Sequence, residues 1–185
     1  MKHFGLGVLV ISCVLAGCSE TNYIKAPVPE DGVEIGLKDK LDGILGGYCL
    51  DIAKGRENVN PENGLQAHTC YSYTGKLGTD QVFAPGRFSD NTLYMPAFEV
   101  CATVQSTSAG SAIGLASCSD DPNQKFSFAG DGTITPVAAP TLCLTASSET
   151  EPGGGSQHQK KKLTLETCSK DDATRQTWTT QQVNG

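Results

Sequence analysis

Gly47-Tyr48-Cys49-Leu50-Asp51-Ile52, then Asn63-Gly64-Leu65-Gln66-Ala67-His68-Thr69-Cys70, then Thr79-Asp80-Gln81-Val82-Phe83: this stretch decides how the rest of the chain is read. It holds a cysteine pair, an aspartate two residues after the first cysteine, and Gln66 and His68 just before the second. A Gln-x-aromatic triplet closes it. The frame returns as Val100-Cys101-Ala102, Ile113 to Cys118 and Gln124-Lys125-Phe126. It returns again as Leu142-Cys143-Leu144, Leu163 to Cys168 and Gln176-Thr177-Trp178. The first copy alone keeps the full set of polar residues that a site would need.

Internal repetition outranks every other signal of architecture. Each unit is read as opening on a turn and a strand: Asp42-Gly43-Ile44-Leu45, Asp90-Asn91-Thr92-Leu93 and Asp131-Gly132-Thr133-Ile134. Asp, Asn and Gly tolerate the backbone angles of tight turns, and the apolar residues after them enter a strand. Two strands then carry the two cysteines, and a fourth begins at the Gln-x-aromatic triplet. Three units of four short strands predict a closed all-β form. The loop between the third pair of cysteines is the longest. It holds Gly153-Gly154-Gly155 and the run Gln157-His158-Gln159-Lys160-Lys161-Lys162. That run reads as a solvated loop; its sharper reading is a contact for an acidic polysaccharide or a phosphate-bearing glycan.

The threefold pattern C-L-D, Q-x-x-x-C, D/N-Q-x-[FW] resembles the ricin B-type lectin family over residues 39–182, nearly the whole chain after its N-terminal segments. The resemblance implies a β-trefoil, with Phe83, Phe126 and Trp178 as core residues about a pseudo-threefold axis. Six cysteines lie in the repeated region and can pair in fifteen ways. The repeat selects one bridge inside each unit: Cys49–Cys70, Cys101–Cys118 and Cys143–Cys168. No C-x-x-C pair occurs, and His68 and His158 have no zinc-like spacing to the cysteines, so neither a metal nor a cofactor is expected.

Sugars are held by polar groups that pair with adjacent hydroxyls and by an apolar face laid against the ring. The resemblance implies that Asp51, Gln66, His68, Asp80 and Gln81 form a carbohydrate pocket in unit one. His68 stands where the family usually places an aromatic residue, and Asp80 where it usually places Asn. Tyr71 and Tyr73, directly after Cys70, are candidates for the stacking face. Gln81 recurs in every unit, which gives it a structural task as well. Unit two offers Thr103, Gly114 and Ala116 at the corresponding positions and keeps Asn123 and Gln124. Unit three offers Thr145, Thr164, Glu166, Arg175 and Gln176. Both lack the carboxylate and are read as retained for the fold alone.

Residues 1–17 read as a secretory leader. Lys2 and His3 precede an apolar segment, Phe4 to Ala16, too short to span a bilayer. Leu15-Ala16-Gly17-Cys18 resembles a bacterial lipobox, in which the cysteine becomes the lipidated N-terminus. Acyl chains such as palmitate would anchor the protein without a membrane-crossing helix. Ser19, by resemblance to sorting rules of Gram-negative lipoproteins, favours the outer membrane. Residues 18–38, with Pro27 and Pro29, read as the lipidated cysteine and a flexible tether, and residues 39–183 as the trefoil domain.

The 185-residue chain is 38% hydrophobic, carries a net charge of -6 and has 21 glycines. A mildly acidic surface argues against nucleic acid as a partner. The expected function is therefore glycan or polysaccharide binding by an exported, membrane-anchored, non-catalytic protein. The alternative is a structural or assembly lipoprotein, akin to a toxin subunit, that uses the trefoil for protein contacts.

Overall fold

The computed structural model describes residues 23–54 and 59–182. The leader and Cys18 lie outside them. The described residues form three repeats of short antiparallel strands, a β-trefoil. Unit one contributes β1 (Val33–Leu37), β2 (Tyr48–Ile52), β3 (Leu65–Thr69) and β4 (Val82–Phe83). Unit two contributes β5 (Tyr94–Met95), β6 (Val100–Val104), β7 (Ile113–Ser117) and β8 (Phe126–Ser127). Unit three opens on β9 (Asp131–Thr133) and β10 (Thr135–Pro136), continues through β11 (Leu142–Ala146), and closes with β14 (Leu163–Thr167) and β15 (Thr177–Gln181). Between β11 and β14 it inserts a hairpin of β12 (Glu151–Pro152) and β13 (Gln159–Lys161).

The middle hairpins repeat one register. Asp51 faces Gln66, Thr103 faces Gly114, and Thr145 faces Thr164. β1 pairs with β15, from Glu34 opposite Gln181 to Leu37 opposite Trp178, and joins the two ends of the described chain. Apolar side chains at alternating strand positions meet inside. Ile35, Tyr48, Leu50, Phe83, Met95, Phe126, Leu144 and Trp178 are all fully buried there. The three aromatic residues of the Gln-x-aromatic triplets therefore occupy the expected core positions. The three disulfides are those the repeat selects: Cys49–Cys70, Cys101–Cys118 and Cys143–Cys168.

The triplet glutamines share one task. Gln81, Gln124 and Gln176 are buried, and each spans the segment around the second cysteine of its unit. The side-chain amide donates to the carbonyl just before that cysteine, Thr69, Ser117 or Thr167, at 3.0–3.1 Å. The side-chain oxygen accepts from the backbone N–H just after it, Tyr71, Ser119 or Ser169, at 2.7–2.9 Å. Buried backbone groups at a strand end need such partners.

Two readings of the sequence require correction. The first strand of unit one is β1, inside the segment read as tether up to residue 38, and not Ile44-Leu45, which lie in turns with Ile44 60% exposed. A charged residue inside the strand conceals it. Glu34 is fully buried, and its Oε1 accepts from the Tyr71 and Ser72 backbone N–H groups at 3.1 Å each. The described residues before β1 are also packed, since the Lys25 and Ala26 N–H groups both donate to the Ala97 carbonyl. The second correction concerns Gln157 to Lys162. Part of this run is β13, which pairs with β3 of unit one, Lys160 opposite His68 and Lys161 opposite Ala67.

Candidate functional site

The hairpin partner of each Cys-strand sets what unit one can offer. Asp51 on β2 and Gln66 on β3 stand opposite each other. Gln66 Nε2 donates to Asp51 Oδ1 at 2.8 Å, and Gln81 Nε2 donates to Asp51 Oδ2 at 2.9 Å. Asp51 is 2% exposed, so its carboxyl is held rigidly at the floor of a depression. Each carboxyl oxygen has a further lone pair beyond these bonds. Among the described residues Gln66 Oε1 has no partner, which leaves it to accept from a ligand hydroxyl.

His68 lies two residues along β3. Its Nε2 is 2.9 Å from the Gly153 carbonyl, and its Nδ1 is 3.2 Å from the Thr69 carbonyl. Gly153 belongs to the unit-three insertion, so the histidine joins two repeats. A Cβ at residue 153 would sit 2.7 Å from His68 Nε2 and 2.8 Å from the Gln159 backbone nitrogen; glycine is what lets the two strands approach. Around the histidine stand the rings of Tyr71, 5.6 Å away, and His158, 5.4 Å away and edge-on. Tyr73 Oη lies 3.0 Å from His158 Nε2.

Asp51, Gln66, His68, Tyr71 and Gly153 are among the residues that line a pocket of about 270 Å³. Asp51 and Gln66 form its floor, His68 and Tyr71 one wall, and Pro152, Gly153 and Gly154 the other; Lys54 and Lys160 stand at the rim. Three of the five residues expected from the sequence thus converge. The other two do not line the pocket. Gln81 is fully buried beneath Asp51 and spends its polar atoms on Asp51, Thr69 and Tyr71. Asp80 sits in the single turn Thr79–Gln81, where successive side chains diverge, and lines a separate depression with Tyr71, Lys76 and Gly78.

What brings the wall from unit three is a buried lysine. Lys161 is 2% exposed at its side chain, yet every donor contact is made to an adjacent oxygen. Nζ donates to Thr150 Oγ1 at 2.6 Å and to the Ser148 carbonyl at 3.3 Å, pairs with Asp42 at 3.1 Å, and lies 5.0 Å over the Tyr48 ring. Burying an ammonium is tolerated only with such compensation. Gln159 adds a clasp, its N–H donating to Thr69 Oγ1 at 2.9 Å. The insertion is therefore part of the site.

Burial sets the electrostatics of the floor. It pushes the Asp51 carboxyl well above the usual carboxylate range, and the Asp80 charge adds to the rise; the Gln66 and Gln81 amides oppose it. Burial likewise raises Asp80 and Glu34. Asp42 goes the other way, to about 2, chiefly through the bond from the Thr150 hydroxyl. The signs then follow. Where a folded carboxyl has the higher pKa, the native state binds more protons than the unfolded chain, and stability falls as pH rises through the folded value. Asp42 contributes stability above its unfolded value of 3.8 that is lost as pH falls toward 2. The melting temperature is expected to rise as pH falls through the raised Asp51 value toward the ordinary carboxylate range, and to fall again as pH drops from 3.8 toward 2 and Asp42 is protonated. Asp51→Asn should remove most of the rise. A parent protein whose melting temperature stays flat from neutral pH down to the ordinary carboxylate range would contradict the burial of an ionisable Asp51.

A family model for the ricin-type beta-trefoil lectin domain matches residues 40–151 and again 92–185. The chain belongs to the ricin-type β-trefoil lectin family. No curated protein matches it significantly. Solved structures share the fold at low identity. A designed threefold-symmetric protein, ThreeFoil, aligns with a TM-score of 0.55 at 15% identity, over 82% of this chain and 98% of that one. The agglutinin from Abrus precatorius aligns at 0.54 and 22%, over 86% of this chain and 51% of that one. The C-terminal half of an earthworm R-type lectin, solved in complex with GalNAc, aligns at 0.53 and 12%, over 81% and 97%.

Within this family's fold the other two units show what unit one has kept. Thr103 opposite Gly114 offers neither a carboxylate nor an amide. In unit three the polar side chains are turned on one another. Thr145 Oγ1 donates to the Cys143 carbonyl at 2.9 Å, Thr164 Oγ1 donates to Glu166 Oε1 at 2.8 Å, and Arg175 is bound to Asp172 and to the Ala146 carbonyl. Lys54 and the Pro152-Gly153-Gly154 wall were not legible as site residues, whereas Lys160 lies in the run whose sharper reading is a glycan contact. The unusual length of the third loop was the one signal of the wall in the sequence.

Proposed function

We propose that this protein is a lectin with a single carbohydrate pocket, in the first repeat. Asp51 and Gln66 contact the sugar hydroxyls, His68 and Tyr71 border its ring, and Gln81 positions Asp51. The observation that carries this reading is the carboxylate–amide pair Asp51–Gln66, at the one of three equivalent register positions that retains hydrogen-bonding groups suited to vicinal hydroxyls. The family, one of carbohydrate-binding and non-catalytic domains, supports the same direction and gives no reason to assign a chemical step.

The test is a glycan array probed with the purified full chain, with Gln66→Ala and with Asp51→Ala. Hydrogen bonds to a charged or polar anchor of this kind contribute about 1.5–3 kcal/mol, so each variant should weaken binding by roughly ten- to a hundredfold. Melting curves identify any variant that has lost its fold. Binding that survives in both folded variants moves the site elsewhere. A parent that binds no glycan favours the assembly-subunit alternative.

The reading includes an anchor. Leu15-Ala16-Gly17-Cys18 after an apolar leader supports cleavage before Cys18 and its acylation, and the three disulfides support export to an oxidising compartment. Mass analysis of the mature N-terminus should find an acylated Cys18; an unmodified cysteine there would remove the anchor from the proposal.

A further inference from the structure

The pocket does not end at Gln66. A second cavity of about 350 Å³ adjoins it and shares Lys54, Gln66 and Lys160 with it. The second compartment continues along the seam between the units, past Ala53 and Leu65 of unit one, Ala112 of unit two and Thr164 of unit three. Together the two reach the size of an ordinary small-ligand site. A ligand filling both must be longer than one sugar ring.

The charge along this seam is opposite to that of the molecule. The chain carries a net charge of -6, yet Lys54, Lys160, Lys161 and Lys162 line the second compartment beside one acid, Glu151. Lys161 is spent on Asp42, and Lys160 pairs with Glu151 at 3.4 Å. Among the described residues Lys54 and Lys162 have no ion-pair partner, and both are exposed. Lys161 turns its ammonium inward to Asp42 and Thr150, while its neighbours Lys160 and Lys162 are half-buried and exposed. A concave, low-dielectric wall concentrates the field of the two remaining ammonium groups.

Resting on the lectin reading, we propose that the ligand is an acidic oligosaccharide. One residue sits on Asp51 and Gln66, and a neighbouring residue carries a carboxylate, sulfate or phosphate to Lys54 and Lys162. The shared chemistry is an anion on a sugar adjacent to the anchored one.

The experiment is a glycan array that holds neutral oligosaccharides beside their carboxylated, sulfated and phosphorylated counterparts. The full chain and the Lys54→Gln/Lys162→Gln double variant are probed at 0.1 M and 0.5 M NaCl. Both lysines are exposed, so the variant should fold. The parent should favour the acidic member of each pair, and the preference should shrink at high salt, where exposed charges are screened. The double variant should lose about tenfold more affinity for acidic glycans than for their neutral counterparts. The three acidic arms tell which anion is taken. Equal binding of neutral and acidic members, or an unchanged double variant, overturns the proposal. If neutral glycans bind and Gln66→Ala abolishes that binding, the pocket stands and only the acidic specificity falls. If no glycan binds, the lectin reading falls and takes this one with it.

Discussion

Reducing the three disulfides is expected to unfold the protein at ordinary temperature. The bridges close loops of 21, 17 and 25 residues. Loops of this size restrict the unfolded chain by about 3 kcal/mol each in the chain-entropy model. A domain of this size has a net stability of only about 5–15 kcal/mol. Loss of all three would therefore consume most or all of it. The order of loss is set by exposure. Cys49, Cys70, Cys101 and Cys143 are buried, Cys168 is half-buried and Cys118 is exposed. Graded reductant should open Cys101–Cys118 first and Cys49–Cys70 last, so unit two loosens before the proposed pocket. Thiol mapping by mass spectrometry alongside circular dichroism checks both statements. A melting temperature unchanged with six free thiols would show that the packed core suffices without the bridges.

Trp178→Ala is the single substitution expected to destabilise most. Trp178 is the largest fully buried side chain, on the strand that pairs with β1. Truncating a buried Trp or Phe costs about 3–5 kcal/mol through lost transfer energy and the cavity left behind. Trp178 also donates from Nε1 to the Leu144 carbonyl at 3.0 Å, tying β15 to β11. Trp178→Phe separates the two contributions, because units one and two carry Phe at the equivalent position. It keeps much of the apolar volume and removes the bond, at a cost of about 1–2 kcal/mol. Denaturant melts of the parent and both variants measure the series. A Trp178→Ala protein within 1 kcal/mol of the parent would contradict the central place of this residue in the core.

The repeated frame was legible because its features are local and periodic. Each cysteine pair, each Gln-x-aromatic triplet and each strand-length apolar run recurs in order, so a closed all-β form and one bridge per unit could be read together, and the family resemblance made that form a trefoil. The shared task of Gln81, Gln124 and Gln176 was half legible. Recurrence marked them as structural, and the structure supplies the bonds. Asp51 and Gln66 were legible as site residues through the family resemblance, and the hairpin register puts them face to face. Asp80 was assigned to the pocket by its position in the family motif, whereas the turn Thr79–Gln81 sets it in a neighbouring depression.

Three features defeated the sequence for one reason: charge was taken as a sign of solvent. Glu34 disguised β1 as tether, although two backbone N–H groups hold its carboxylate in the interior. Lys161, in a run of three lysines, resembled a solvated loop, although Thr150, Ser148 and Asp42 hold it inside. With it came the insertion, whose return to unit one depends on partners nearly a hundred positions away. Sequence by itself determined the repeat and the cross-links, because these depend on features that recur along the chain, and the family resemblance carried by the repeat pointed to Asp51 and Gln66. Only the tertiary structure decided the walls and the charge of the cleft. Those depend on burial and on contacts between repeats, which hold Lys161 inside against Asp42 and Thr150 and bring Gly153 within hydrogen-bonding distance of His68.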